Sequence, residues 1–209
     1  QLIGRNTGIA LENPTYKQAF RVFESLGHPV FPVSMDRWGM NVRELEKTQA
    51  GIAYVMPSHQ YPTGIVIPIK RRQELLKWAK AEESRYLIED DYDSEFRLGG
   101  KPIPTLQSID VSDKVIYMNT FTKTLSSTVR ISYMVLPASL TELFYKKLSF
   151  YSCTVSNFEQ YTLARFMESG SFEKHINRLR NYYQNKRDAI LEIFKTAPLD
   201  QYITIKEED

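Results

Sequence analysis

Lys123 stands in a stretch rich in groups that can hold an anion. Hydroxyls at Thr120, Thr122 and Thr124 surround it, Ser126 and Ser127 follow, and then comes Arg130. The apolar, β-leaning run Val115–Met118 leads in, and a second run, Ile131–Leu136, leads out to Pro137. Two readings are open for such a lysine. The commoner is a solvated loop charge. The sharper is an amine kept beside an anion and a carbonyl, as a Schiff-base lysine requires.

A second stretch bears on the choice. In RYLIEDDYDSEF, residues 85–96, Tyr86–Ile88 reads as a buried strand whose carboxyl end carries Glu89, Asp90, Asp91, Tyr92 and Asp93. Open α/β sheets bind ligands in the crevice outside the carboxyl ends of their strands. Acids and a tyrosine at one strand end, and a hydroxyl-flanked lysine at the next, therefore suggest one site. A carboxylate there can keep a pyridinium nitrogen protonated, because an adjacent negative charge favours the charged form. The tyrosine can donate to a phenolate oxygen. The hydroxyls and Arg130 can hold a phosphate, the guanidinium donating more than one hydrogen bond. Consecutive acids also bind Mg²⁺ or Ca²⁺, but the D-x-D-x-D-G spacing of a calcium loop is missing, and no metal is expected.

Several segments carry a family resemblance together: ENPTY at 12–16, PSHQYPTG at 57–64, IEDDYDSEF at 88–96, TFTKTLSSTVRISY at 120–133 and VSNFEQYTLARFMESGSFEKHINRLR at 155–180. The chain resembles the aminotransferase-like domain of MocR/GabR-type regulators of the GntR family and, more distantly, fold-type-I aminotransferases of the aminoadipate/kynurenine kind. The resemblance implies pyridoxal 5'-phosphate as cofactor, held as a Schiff base on Lys123. It implies Asp90 at the pyridine nitrogen, Tyr92 at the phenolate oxygen and Tyr16 stacked on the ring. Thr120, Thr122 and Arg130 would form the phosphate cup. Where aminotransferases read N-P-T-G, with the asparagine donating to the phenolate oxygen, this chain has Tyr61. Either Tyr92 serves that oxygen alone or His59 assists. Related regulators carry an arginine for the substrate carboxylate in the helix after Tyr16; Phe20 occupies its slot here, with Arg21 adjacent. Relatives read P-G-L-R where this chain has Ser127-Thr128-Val129-Arg130.

Composition sets bounds on all of this. The sequence has 209 residues, 42% hydrophobic and 25% charged, ordinary for a globular domain with a sizeable core. A net charge of +2 with dispersed lysines and arginines gives no reason to assign nucleic-acid binding to this segment. A single cysteine, Cys153, excludes an internal disulfide framework and fits a reducing, cytoplasmic compartment. No run approaches the roughly 20 apolar residues of a membrane span. The start at Gln1, mid-pattern, reads as a piece of something longer.

Several elements must position these groups. A strand over Ile9–Leu11 leads to a turn at Pro14 and a helix through Ala19, Phe20, Val22, Phe23 and Leu26. His28–Val33 reads as an edge strand and Ala53–Met56 as a buried one. Residues 68–84 form an amphipathic helix with Leu75, Leu76, Trp78 and Ala79 inward. Its basic cluster Lys70-Arg71-Arg72 reads as a solvated first turn rather than a phosphate contact. Asp91, Asp93 and Glu95 read as solvated turn acids, and 97–112 as a surface loop that approaches the partner in dimeric relatives. Helices follow over about 140–151, 157–167 and 172–194, the last with a stripe of Ile176, Leu179, Tyr183, Ile190 and Ile193. Tyr202–Ile205 reads as the first strand of a small domain.

The expectation is an α/β chain of the pyridoxal-phosphate fold type I, with a mostly parallel, doubly wound sheet. Residues 1–170 form a large cofactor domain, and 171–209 a linking helix plus the start of a small α+β domain. Three functional classes stay open. The first is a regulator's effector domain that senses an amine or amino acid as a homodimer and reaches DNA only through a helix-turn-helix part before residue 1. The second is a genuine aminotransferase, and the third a binding-only remnant.

Overall fold

The computed structural model describes Leu2, Gly4 and residues 6–96 and 103–196. Seven strands make one sheet: β1 (Gly8–Asn13), β2 (Val30–Asp36), β3 (Gly39–Met40), β4 (Ala50–Val55), β5 (Tyr86–Asp90), β6 (Val115–Thr120) and β7 (Ser132–Val135). Their order is β3-β2-β1-β4-β5-β6-β7. The five central strands run parallel, and the short β3 and the outer β7 pair antiparallel. Chain direction reverses its spread at β1/β4, the switch that opens a crevice at the strands' carboxyl ends.

Helices cover both faces, so the central strands carry apolar residues on both sides. One face packs Ala53, Val55, Leu75, Trp78 and Leu87 with their neighbours. These side chains come partly from α3 (Ile69–Lys80), whose Leu75, Trp78 and Ala79 point inward as the helical period predicts. The other face packs Ile9, Ile52, Tyr54, Ile88 and Ile116 beneath Phe20 and Phe23 of α1 (Lys17–Ser25) and Leu140 and Leu143 of α5 (Ala138–Leu148). Alternation along β5 sends Leu87 and Glu89 to the first face and Ile88 and Asp90 to the second.

Among the described residues the chain forms two compact units. One runs to Asp93 and resumes from Ile103 to Cys153; the other joins residues from Ser94 with those from Thr154 onward. In the second unit, α6 (Asn157–Glu168) starts at a capping box in which Ser156 and Glu159 satisfy each other's backbone N–H. There α7 (Ser171–Thr196) holds the 3-10 turn Ser94–Phe96, Arg180 Nε donating to the Glu95 carbonyl at 2.6 Å. No helix among the described residues is long and apolar enough to cross a membrane.

Several expectations are corrected. β2 is not the sheet edge, because β3 pairs along its outer side at Met35 and Asp36. Of the basic cluster at the start of α3, Lys70 is solvated but Arg71 and Arg72 are not. Arg72 is fully buried, and its guanidinium donates to the carbonyls of Ile67, Pro57 and Pro104 at 2.9, 2.9 and 3.0 Å. Arg71, also buried, donates to the Met40 carbonyl and to Asp36. Asp91 is buried rather than solvated: Tyr117 donates to its Oδ2 at 2.7 Å. Residues 97–112 are not all surface loop, since α4 (Leu106–Ile109) buries Leu106 and sets its first N–H groups on the Glu89 carboxylate. Of the α7 stripe, Ile176 is buried while Tyr183, Ile190 and Ile193 are exposed. The strand expected at Tyr202–Ile205 lies outside the described residues.

Candidate functional site

Asp90 ends β5 and Met118 is its register partner on the adjacent parallel strand β6. Two residues beyond Met118, on the same side of the pleat, Thr120 ends β6, and the turn that carries Lys123 begins. The acid and the lysine loop therefore open at the same end of neighbouring strands. The loop returns through Arg130 into β7, which zips back so that Thr120 opposes Ser132.

The lysine loop is ordered by its own hydroxyls. Thr120 Oγ1 donates to Thr122 Oγ1 at 3.0 Å, and Thr122 Oγ1 donates to the Val129 carbonyl at 3.0 Å. Thr124, buried, donates to the Phe121 carbonyl. Lys123 and Arg130 are both exposed, and no hydrogen bond or ion pair engages either among the described residues. Two cations and several hydroxyls thus sit on one short, pinned loop.

Asp90 is half-buried. The hydroxyl of Tyr54, one strand over on β4, donates to its Oδ2, and no described residue donates to Oδ1. Burial pushes the Asp90 carboxyl above the usual carboxylate range; the Tyr54 hydrogen bond opposes this, and the charges of Asp91 and Asp93 reinforce it. Tyr54 did not stand out in the sequence. Its signal was there: along β4 and just past its end, Ile52, Tyr54 and Met56 share one face, which puts the phenol on Asp90's side of the sheet.

Tyr92 follows at the mouth. Its hydroxyl donates to the His59 carbonyl at 2.9 Å, and its ring stacks near the His59 imidazole at 6.3 Å. His59 Nδ1 donates to Asp93 Oδ2 at 2.7 Å, and this bond raises the imidazole's pKa. His59 is therefore spoken for through both its ring and its backbone. Tyr16 is 43% exposed and meets Tyr61 edge to face at 5.8 Å. Phe20 packs into the core, and Arg21 beside it is exposed.

Two loops that bring Tyr16, His59 and Tyr61 to the crevice are tied by Gln60, which is buried. Its Nε2 donates to the Pro14 and Tyr61 carbonyls at 2.9 and 2.8 Å, and its Oε1 accepts from Thr63 N and Oγ1. The turn closes at Gly64, whose φ of +74° a side chain would strain. Below, Glu12 is buried at the end of β1, accepting from Met56 N at 3.4 Å while Oε1 has no partner among the described residues. Burial pushes its carboxyl up to about 8.

These groups are of the chemical kinds that a phosphorylated ring bearing an aldehyde would need. The chain offers an amine, a carboxylate with one free oxygen, an aromatic platform, and hydroxyls with a guanidinium. Comparison with known proteins bears on that fit. Residues 1–208 match the family of aminotransferases of class I and II. The chain belongs to that family. It is 41% identical over all of its length to YdeL of Bacillus subtilis (strain 168), an uncharacterised HTH-type transcriptional regulator, and covers 45% of that protein. It is 32% identical to the probable rhizopine catabolism regulatory protein MocR of Rhizobium meliloti, with 95% of this chain and 40% of that one aligned. Among solved structures, the kynurenine aminotransferase of Pyrococcus horikoshii, in complex with PMP, superposes with a TM-score of 0.80 at 30% identity, over 93% of this chain and 50% of that one. The fold is that of the pyridoxal-phosphate-dependent transferases of fold type I. The chain spans less than half the length of the curated regulators it matches.

Proposed function

We propose that this aminotransferase domain is the effector part of a transcriptional regulator, binding pyridoxal 5'-phosphate at Lys123 and sensing an amine or amino acid. The observation that carries the reading is the shared opening of Asp90 and the Lys123 loop at the carboxyl ends of adjacent parallel strands. The likeness to HTH-type regulators along the whole chain favours the regulator. In this reading DNA is met by a helix-turn-helix part outside these residues, in the cytoplasm. The exposed aromatics Phe158 and Tyr161 of α6 support a homodimer, since exposed aromatic surface is commonly interface.

The cofactor, when bound, supplies an aldehyde and an electron-withdrawing ring. The chain supplies the rest. Lys123 would present its amine to the aldehyde. Asp90 Oδ1 would accept from the ring nitrogen and favour its protonated form. Tyr16 offers its exposed face as a platform. The Tyr92 hydroxyl, which donates to the His59 carbonyl in this structure, would turn from that carbonyl to donate toward the phenolate oxygen. Thr120, Thr122 and Arg130 would hold the phosphate, the two hydroxyls turning from their partners within the loop.

A second reading, a working aminotransferase, draws on the likeness to the kynurenine aminotransferase. The two separate by turnover: repeated amino transfer to a 2-oxo acid favours the enzyme, and an amine-dependent change in DNA affinity without turnover favours the regulator. The test common to both is borohydride reduction of the full-length protein with pyridoxal 5'-phosphate, followed by mass spectrometry. A pyridoxyl mass on the peptide containing Lys123, lost in K123A, is expected; its absence in wild type ends the reading.

A further inference from the structure

We infer that Tyr54 is a positioning residue, its hydroxyl fixing the rotamer and the charge of the Asp90 carboxylate toward the bound ring. This rests on the cofactor reading above. The geometry is specific. Tyr54 pairs in register with Ile88, so it lies two residues back from Asp90 on the neighbouring strand, on the same face. The phenol reaches along the sheet to Oδ2 and leaves Oδ1 for a ligand. Its ring cannot swing away: it is 6% exposed and meets Phe23 of α1 edge to face at 6.1 Å.

The electrostatics give the contact its purpose. Burial and the neighbouring charges of Asp91 and Asp93 all drive Asp90 toward its neutral form, and no cation pairs with it among the described residues. A neutral acid cannot hold a ring nitrogen protonated. The Tyr54 hydroxyl counters that drift by donating to the charged form. Tyr54 is itself kept a donor, because burial and the Asp90 charge raise its own pKa far beyond physiological pH. Phenol and carboxylate therefore hold each other in the protonation states that cofactor binding needs.

The experiment measures pyridoxal 5'-phosphate affinity of the full-length protein against pH for wild type, Y54F, D90N and the double variant. The expectation is a roughly ten- to thirtyfold weaker affinity for Y54F, the scale of one hydrogen bond to a charged group. The acid limb of the affinity profile should move up by about one pH unit, as an acid that loses a donor to its charged form must behave. In the D90N background the same change should cost less than about twofold, because the charge that the bond serves is gone. A merely structural tyrosine would weaken both backgrounds alike and leave the acid limb in place; either result overturns the inference. Unchanged affinity in Y54F overturns it too and leaves the cofactor reading standing. Wild type that takes up no cofactor overturns that reading, and this inference with it.

Discussion

The guanidinium of Arg72 lies 3.8 Å from the carboxylate of Glu89, and neither side chain is exposed at all. The pair is less a salt bridge than two hubs placed back to back. Arg72 gathers the carbonyls of Pro57, Ile67 and Pro104, while Glu89 gathers the N–H groups of Leu106 and Gln107. Burial outweighs the nearby cation, so the Glu89 carboxyl is pushed up to about 6. R72A leaves three buried carbonyls unserved and takes a cation from beside a buried acid, and is expected to cost roughly 3–5 kcal/mol in denaturant unfolding. R72K should rescue little, because an ammonium cannot span three carbonyls. Wild-type stability in R72K would show that charge, not the fork, matters.

Glu12 makes stability depend on pH in an unusual direction. Its carboxyl keeps its proton to about pH 8 in the folded chain but loses it near 4.5 when unfolded. Between those values the folded state binds more protons, so stability falls as pH rises through the window. Glutamine cannot ionise. E12Q should therefore flatten the pH–stability curve between about 5 and 8, removing a slope worth roughly 3–5 kcal/mol end to end. Thermal melts across that range check it; parallel curves for the two proteins would reject it.

Gln60 couples two loops, and its loss should be felt in both. In Q60A, the carbonyls of Pro14 and Tyr61 and the N–H of Thr63 lose their partner, which is expected to cost roughly 1–3 kcal/mol. Because the same bonds seat the turn before Tyr16, cofactor affinity should fall as well. Calorimetry and a binding titration measure the two effects; a stability loss with intact affinity would free Tyr16 from this tie.

The cation on the lysine loop can be assigned by changing the ligand rather than the fold. R130A is expected to weaken pyridoxal 5'-phosphate binding roughly 10- to 100-fold, the range for a charge-assisted bond, while pyridoxal, lacking the phosphate, binds both proteins alike. An equal loss for both ligands would mean that Arg130 does not meet the phosphate.

Much of the fold was legible because it follows from local period. The apolar runs of β1, β4, β5 and β6 and the amphipathic α3 come from patterns within a few residues, and so does the crevice at the strand ends. What was not legible depended on distant partners. Arg71 and Arg72 look like any charged first turn until carbonyls from Met40, Pro57 and Pro104 converge on them. Asp91 looks like a solvated turn acid until Tyr117 is folded onto it. Tyr54 reads as one more apolar strand residue, since nothing local announces the carboxylate it reaches on the next strand. The family segments supplied the candidate site residues, and spacing alone would have left Lys123 a solvated charge.

β7 closes one side of the sheet with nothing beyond it among the described residues, and all four of its side chains are exposed, Tyr133, Met134 and Val135 among them. Its outward amide and carbonyl groups form a ready template for another extended segment. Samples of these 209 residues alone should therefore stick to one another by strand addition, and their ligand titrations must be run at several protein concentrations before a weak signal is taken as weak binding.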